Sequence, residues 1–171
     1  MTTNTVFKAM PRITIIEARS VEDIAAVKAI FLGYARSLNF DLSSQNFDQE
    51  MATFPGCYGE PEGALMLARV DGMPAGAVGL RLQKRDADIG VICEMKRLYV
   101  CDDFRGLGLG RKLAEAIIRQ GANIGYAAMR LDTVAAMSEA IGLYRSMGFQ
   151  EIDPYYNSIL ENPEYYQLML S

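Results

Sequence analysis

The chain has 171 residues, half of them hydrophobic, which suits one domain with a full-sized core. A net charge of −4 argues against nucleic acid as the main partner, and no apolar run is long enough to cross a bilayer. There is no histidine, so Ser-His-Asp and Cys-His machinery and His-ligated metal sites are excluded. Any proton transfer must use carboxylates, tyrosine, lysine, cysteine or water, and no metal is expected. Residues 1–10 are polar and mixed, without the basic start and apolar stretch of a secretory signal. A flexible tail on a cytoplasmic protein is expected. Of the three cysteines, Cys57, Cys93 and Cys101, none forms a C-x-x-C pair. Cys93 falls in a strand-like run and reads as a small buried hydrophobe.

Residues 13–17 read as the first strand. Ser20 then precedes Val21-Glu22-Asp23, a helix cap with Asp23 where Glu is usual, and Ile24, Val27, Phe31 and Leu32 follow at helical spacing. Residues 37–63 are irregular, with a short helix expected over 47–54 between loops, and the stretch from Tyr34 to Tyr58 suits a lid over the acceptor site. Residues 64–70 form a strand, Asp71-Gly72 a turn, and 76–82 the hairpin partner. A polar loop is expected over 85–88, then a long fourth strand over 89–100. Leu113, Ala116, Ile117 and Gly121 mark the inner face of the next helix; Arg111, Lys112, Glu115 and Arg119 mark its outer face. A fifth strand is expected over 127–132. Met137, Ala140, Ile141 and Tyr144 share one face of a further helix, and Gly148 ends it as a left-handed cap would. The sixth and seventh strands are expected over 149–153 and 165–170. The class is therefore α/β: one domain over residues 1–171, with a mixed central sheet of about seven strands.

The most informative stretch is Arg105-Gly106-Leu107-Gly108-Leu109-Gly110, which lies between the apolar run 95–100 and a helix beginning near Leu109. Alternate glycines leave bare backbone that turns sharply and brings several N–H groups toward one point, beside the positive end of a helix dipole. Such a loop holds a phosphate or pyrophosphate without side-chain chemistry. One glycine would be enough merely to start a helix. Counted as a P-loop, the motif fails: its second glycine would fall at Arg111, and Lys112 is followed by Leu113. As a dinucleotide fingerprint it is one residue short, G-x-G-x-G, although Asp132 lies about the right distance on. That reading predicts NAD binding and an oxidoreductase dependent on Asp132. Position opposes it, because too few strands follow to build a doubly wound sheet.

The wider order is Glu94-Met95-Lys96-Arg97-Leu98-Tyr99-Val100, the glycine loop, a helix, Met129-Arg130-Leu131-Asp132-Thr133, and a second helix ending Leu143-Tyr144-Arg145-Ser146-Met147-Gly148-Phe149. This order resembles the GNAT superfamily of acyl-CoA N-acyltransferases over about residues 13–170. The resemblance implies helices on both faces of the sheet and a parallel fourth and fifth strand pair that splays apart to admit the acyl-CoA. It implies an N-acetyltransferase that moves an acetyl group from acetyl-CoA to a primary amine of a small molecule or peptide by direct attack. The pyrophosphate falls to Arg105, Gly106, Leu107, Gly108, Leu109, Gly110 and Arg111. The thioester and pantetheine fall to a bulged edge at Leu98, Tyr99 and Val100.

Tyr144 takes the place of the tyrosine that protonates the leaving thiolate in many relatives, and its ordinary pKa near 10 suits that task. On its residues alone it reads as a core tyrosine. Glu94 is the best carboxylate for a base, direct or through water, and equally an ion-pair partner for Lys96 or Arg97. Many relatives carry an asparagine where this chain has Met137; Ser138, or Thr133 upstream, is the substitute toward the cofactor arm. Tyr155 and Tyr156 suit a pocket wall, and Arg36, Arg81 and Arg97 suit a carboxylate on the acceptor. A homodimer is a further expectation. The alternative from another class is a non-catalytic acyl-CoA-binding or sensor module, which needs the loop but neither Tyr144 nor Glu94.

Overall fold

In the computed structural model, residues 9–171 are described, so the tail expected over 1–10 lies outside the described residues apart from its last two. Seven strands form one sheet in the order β1-β2-β3-β4-β5-β7-β6. They are β1 (Ile13–Glu17), β2 (Ala64–Val70), β3 (Met73–Asp86), β4 (Gly90–Val100), β5 (Ala128–Val134), β6 (Gln150–Ile152) and β7 (Pro163–Met169). All neighbours run antiparallel except β4 and β5.

Among the described residues four α-helices cover the sheet: α1 (Val21–Ser37), α2 (Phe47–Ala52), α3 (Leu109–Ile124) and α4 (Ser138–Ser146). The alternation of β2 explains the layering. Its Leu65 and Leu67 join the core beneath α1 and α2, while Met66, Ala68 and Val70 join the core beneath α3 and α4. Both faces are therefore apolar and both are covered. Ser20 caps α1 as expected: its Oγ accepts from the Asp23 N–H at 3.1 Å and donates to the Asp23 carboxylate at 2.8 Å. Gly148, at φ 94°, follows the last turn of α4 in the left-handed conformation.

One element departs from expectation. Of the polar stretch expected as a loop over 85–88, Ala87 and Asp88 are turn but Arg85 and Asp86 are strand, because β3 continues to Asp86 with Lys84, Arg85 and Asp86 paired to Ile92, Val91 and Gly90. On β3 the side chains of Lys84 and Arg85 are exposed, so no buried face selects apolar residues there and the alternation signal is lost. The Asp86 carboxylate turns the chain by accepting from the Asp88 and Ile89 N–H groups.

The parallel pair sets up the site. β4 and β5 are in register only at Ile92–Ala128, Cys93–Met129 and Glu94–Arg130. Both strands continue beyond that point, β4 by six residues and β5 by four, without pairing to each other. The sheet is forked there, as the resemblance implies.

Candidate active site

The fork opens into a cleft of about 940 Å³. Its walls are the unpaired end of β4, the glycine loop, the start of α3, the unpaired end of β5, α4 and the end of α1. A bulge in β4 shapes the first wall. Tyr99 pairs with Ala77 and Lys96 with Gly79, so one extra residue is fitted into β4. Arg97 takes the strain at φ 61°, in the left-handed region. Three hydrogen bonds offset it: two from the guanidinium to Glu50, at 2.9 and 3.2 Å, and one to Gln45 at 2.8 Å. The bulge also resets side-chain parity. Met95 and Leu98 pack on the α3 side, whereas Tyr99 packs on the α1 side against Tyr34, with ring centroids 5.5 Å apart. From Met95 onward, the β5-facing edge of β4 carries no strand partner.

The glycine loop follows a short 3-10 turn, Asp102–Phe104. Gly106 and Gly108 sit at φ 80° and 72°, and a Cβ at either would meet only open space. Backbone conformation, not crowding, therefore requires glycine at both. Gly108 is the N-cap of α3 and supplies no capping side chain, and no acidic residue occupies the first turn. The N–H groups that open α3 are thus left for an outside acceptor, at the positive end of a 16-residue helix.

Of the residues singled out from sequence, Leu98, Tyr99, Val100, Arg105, Gly106, Gly108, Leu109, Gly110, Ser138 and Tyr144 line the cleft together. Leu107, Arg111 and Glu94 do not line it. The Arg105 guanidinium pairs with Asp102 at 2.9 Å on the surface, and that of Arg111 donates to Ser146 Oγ at 2.7 Å, tying α3 to α4. Tyr144 is buried, yet its hydroxyl has no partner among the described residues and is not sealed from the cleft. Burial raises its pKa above the usual phenol value, and Tyr34 and Asp132 add to that.

Behind the cleft lies a charged cluster in the sheet itself. Glu94 is 3% exposed; its Oε2 accepts from Arg81 at 2.8 and 2.9 Å and its Oε1 from the Tyr155 hydroxyl at 2.9 Å. Lys96 Nζ stands 3.7 Å from Glu94 and donates to Asp132 Oδ1 at 2.8 Å. The Tyr156 hydroxyl donates to Asp132 Oδ2 at 2.7 Å. Arg81 and Arg97 are therefore committed to Glu94 and Glu50. Tyr155 and Tyr156 fasten the segment after β6 to the fork, with their rings packed on Tyr165. Tyr34, the start of the expected lid stretch, does line the cleft, whereas sequence reasoning passed over Lys96 and Asp132 as parts of it. Only Asp132 gave a signal, by its distance from the glycine loop, and that signal pointed to a different cofactor.

The profile of the acetyltransferase (GNAT) family matches residues 29–149. The chain belongs to the GNAT family of acetyltransferases. An uncharacterized N-acetyltransferase of Schizosaccharomyces pombe is 35% identical over 160 residues, spanning 93% of this chain and 96% of that protein. Among solved structures, a GNAT-family acetyltransferase of Staphylococcus aureus superposes with a TM-score of 0.71 at 22% identity, over 94% of this chain and 100% of the other. The Salmonella typhimurium protein yncA, solved with its cofactor acetyl-CoA, superposes with a TM-score of 0.67 at 19% identity, over 93% and 94%. This GNAT chain is an acetyl-CoA-dependent N-acetyltransferase. No helix among the described residues is long and apolar enough to cross a membrane.

Proposed function

We propose that the fork between β4 and β5 is the catalytic centre, and that the chain acetylates a primary amine of a small molecule or peptide by direct attack on acetyl-CoA. Acetyl-CoA supplies an activated acyl carbon and a thiolate leaving group. Every other task falls to the chain. The amides from Arg105 to Arg111 hold the pyrophosphate; the open edge at Leu98, Tyr99 and Val100 aligns the arm and its thioester carbonyl. Alignment of this kind removes about 7–11 kcal/mol of barrier. Tyr144 donates its proton to the departing sulfur. Ser138, at the start of α4, faces the cofactor arm in place of the usual amide. Glu94, held by Arg81 and Tyr155 and set back from the cleft, is assigned to fixing Lys96 and the segment after β6.

One observation carries this reading: an anion-accepting helix start and an unpaired strand edge open into the same cleft as a tyrosine hydroxyl with no partner. A cytoplasmic location fits the three free cysteines, which suit a reducing compartment. Titration calorimetry with acetyl-CoA, followed by a free-thiol readout over a panel of amino acids, polyamines and peptides, tests it. Saturable binding and acceptor-dependent thiol release are expected. Binding without release from any amine would leave a sensor module instead.

A further inference from the structure

We propose that Asp132 receives the acceptor: its carboxylate orients the incoming nitrogen at the fork and takes the proton that the amine must lose. The proposal rests on the reading of the cleft as an acetyl-transfer site. Other carboxylates near the fork are unsuited. Glu94 does not reach the cleft, Glu50 is committed to Arg97 and the Tyr58 hydroxyl, and Asp102 and Glu139 lie at the glycine-loop end and at α4. Asp132 lines the cleft, two residues beyond the last paired position of β5.

Its partner, Lys96, is two residues beyond the last paired position of β4. Their 2.8 Å ion pair therefore bridges the two strands where backbone pairing has stopped. Each Asp132 oxygen accepts one bond within the chain, from Lys96 or from Tyr156. A carboxylate offers about four lone-pair directions, so each oxygen keeps one for an outside donor.

The surroundings keep this group ionised. Burial alone would raise its pKa, but the Lys96 charge, the hydrogen bonds from Lys96 and Tyr156, and the Arg97 charge together hold it below the usual carboxylate range. The other groups facing it are phenols: Tyr34 from α1, Tyr144 from α4, Tyr155 beside Tyr156, and Tyr165 from β7. Lys96 already balances the charge of Asp132, so an acceptor ammonium is drawn by the lone pairs that the carboxylate keeps free. That ammonium passes one proton to Asp132, a transfer uphill against the lowered carboxylate pKa and drawn on by release to water, and becomes the nucleophile. The N–C bond forms as the C–S bond breaks; Tyr144 protonates the sulfur and is reprotonated by the second nitrogen proton. Asp132 returns its proton to water, so ammonium and thioester yield amide, thiol and one proton.

The test is Asp132→Asn, assayed against pH with the acceptor that releases most thiol from the wild type. Turnover is expected to fall about a hundredfold near pH 7. The deficit is expected to shrink as pH approaches the pKa of the free amine, while acetyl-CoA affinity stays within about twofold of wild type. A structural role would depress the rate equally at every pH, and that result, or unchanged turnover, overturns the proposal. If the single variant does not fold, Lys96→Met with Asp132→Asn removes the stranded ammonium and is read the same way. Failure of every amine with the wild type would overturn the underlying reading and this proposal together. Asp132 variants whose turnover is unchanged, or depressed equally at every pH, overturn only this one.

Discussion

Tyr144 shows how one side chain can be both core and chemistry. Its ring packs edge-on against Phe149 at 5.8 Å, which satisfies the apolar face of α4, while its hydroxyl is left to the cleft. Burial and the neighbouring Tyr34 and Asp132 make the phenol a weaker acid. It therefore stays protonated through neutral pH and stands ready as a proton donor when the thiolate leaves. Tyr144→Phe deletes an oxygen with no partner among the described residues, so stability is expected to hold. Turnover is expected to fall about a hundredfold, with acetyl-CoA affinity unchanged by calorimetry; unaltered turnover would remove Tyr144 from proton transfer. The residue was legible only as part of an ordered set of motifs, since tyrosine on an apolar helical face is ordinarily core. Tyr34 was legible only as one end of a lid stretch. Its role depends on Tyr99, sixty-five positions on, and only the bulge turns that ring toward α1.

At the scale of elements, the strand–loop–helix unit from β4 to α3 carries the anion site. Its glycines were legible because spacing alone distinguishes a phosphate cradle from a plain helix start. The bulge was legible only through the resemblance, because Glu94 to Val100 contains no glycine or proline to mark it. An arginine holds the left-handed position there, stabilised by Glu50 and Gln45 from a distant segment, and local sequence carries no trace of such a contact. The long β3 was obscured for the opposite reason: its end is strand by pairing alone, without burial. Gly108 offers the clearest test of the unit. A β-branched side chain at φ 72° is strongly disfavoured, at a cost of about 1–3 kcal/mol. Gly108→Val is expected to shift the loop away from its cradle and weaken CoA binding by at least about tenfold, read by calorimetry. Affinity equal to wild type would mean that the pyrophosphate is held elsewhere.

For the molecule as a whole, the sheet is bonded through its interior by carboxylates and phenols, with no histidine to titrate near neutrality. Among the described residues, Tyr34, Tyr58, Tyr126, Tyr144, Tyr155, Tyr156, Tyr165 and Tyr166 all have raised pKa values, chiefly from burial. For Tyr126 the value is about 12. The unfolded chain ionises its tyrosines near pH 10, whereas the folded chain holds these protons to higher pH. Unfolding then releases protons, so stability is fully present below about pH 10 and falls as pH rises above it. Tyr58 and Tyr144 are both buried, and each contributes a loss of about 1.4 kcal/mol per pH unit once the unfolded phenol is fully ionised. Near pH 11 the melting temperature is therefore expected to lie about 5–10 °C below its value near pH 9. The Tyr58→Phe variant is expected to flatten that slope, because the phenol that must be kept neutral beside Glu50 is gone. Circular-dichroism melts across this range check both. A melting temperature constant to about pH 11 would mean that these hydroxyls ionise in place, and that the phenol–carboxylate contacts behind the fork are open to water.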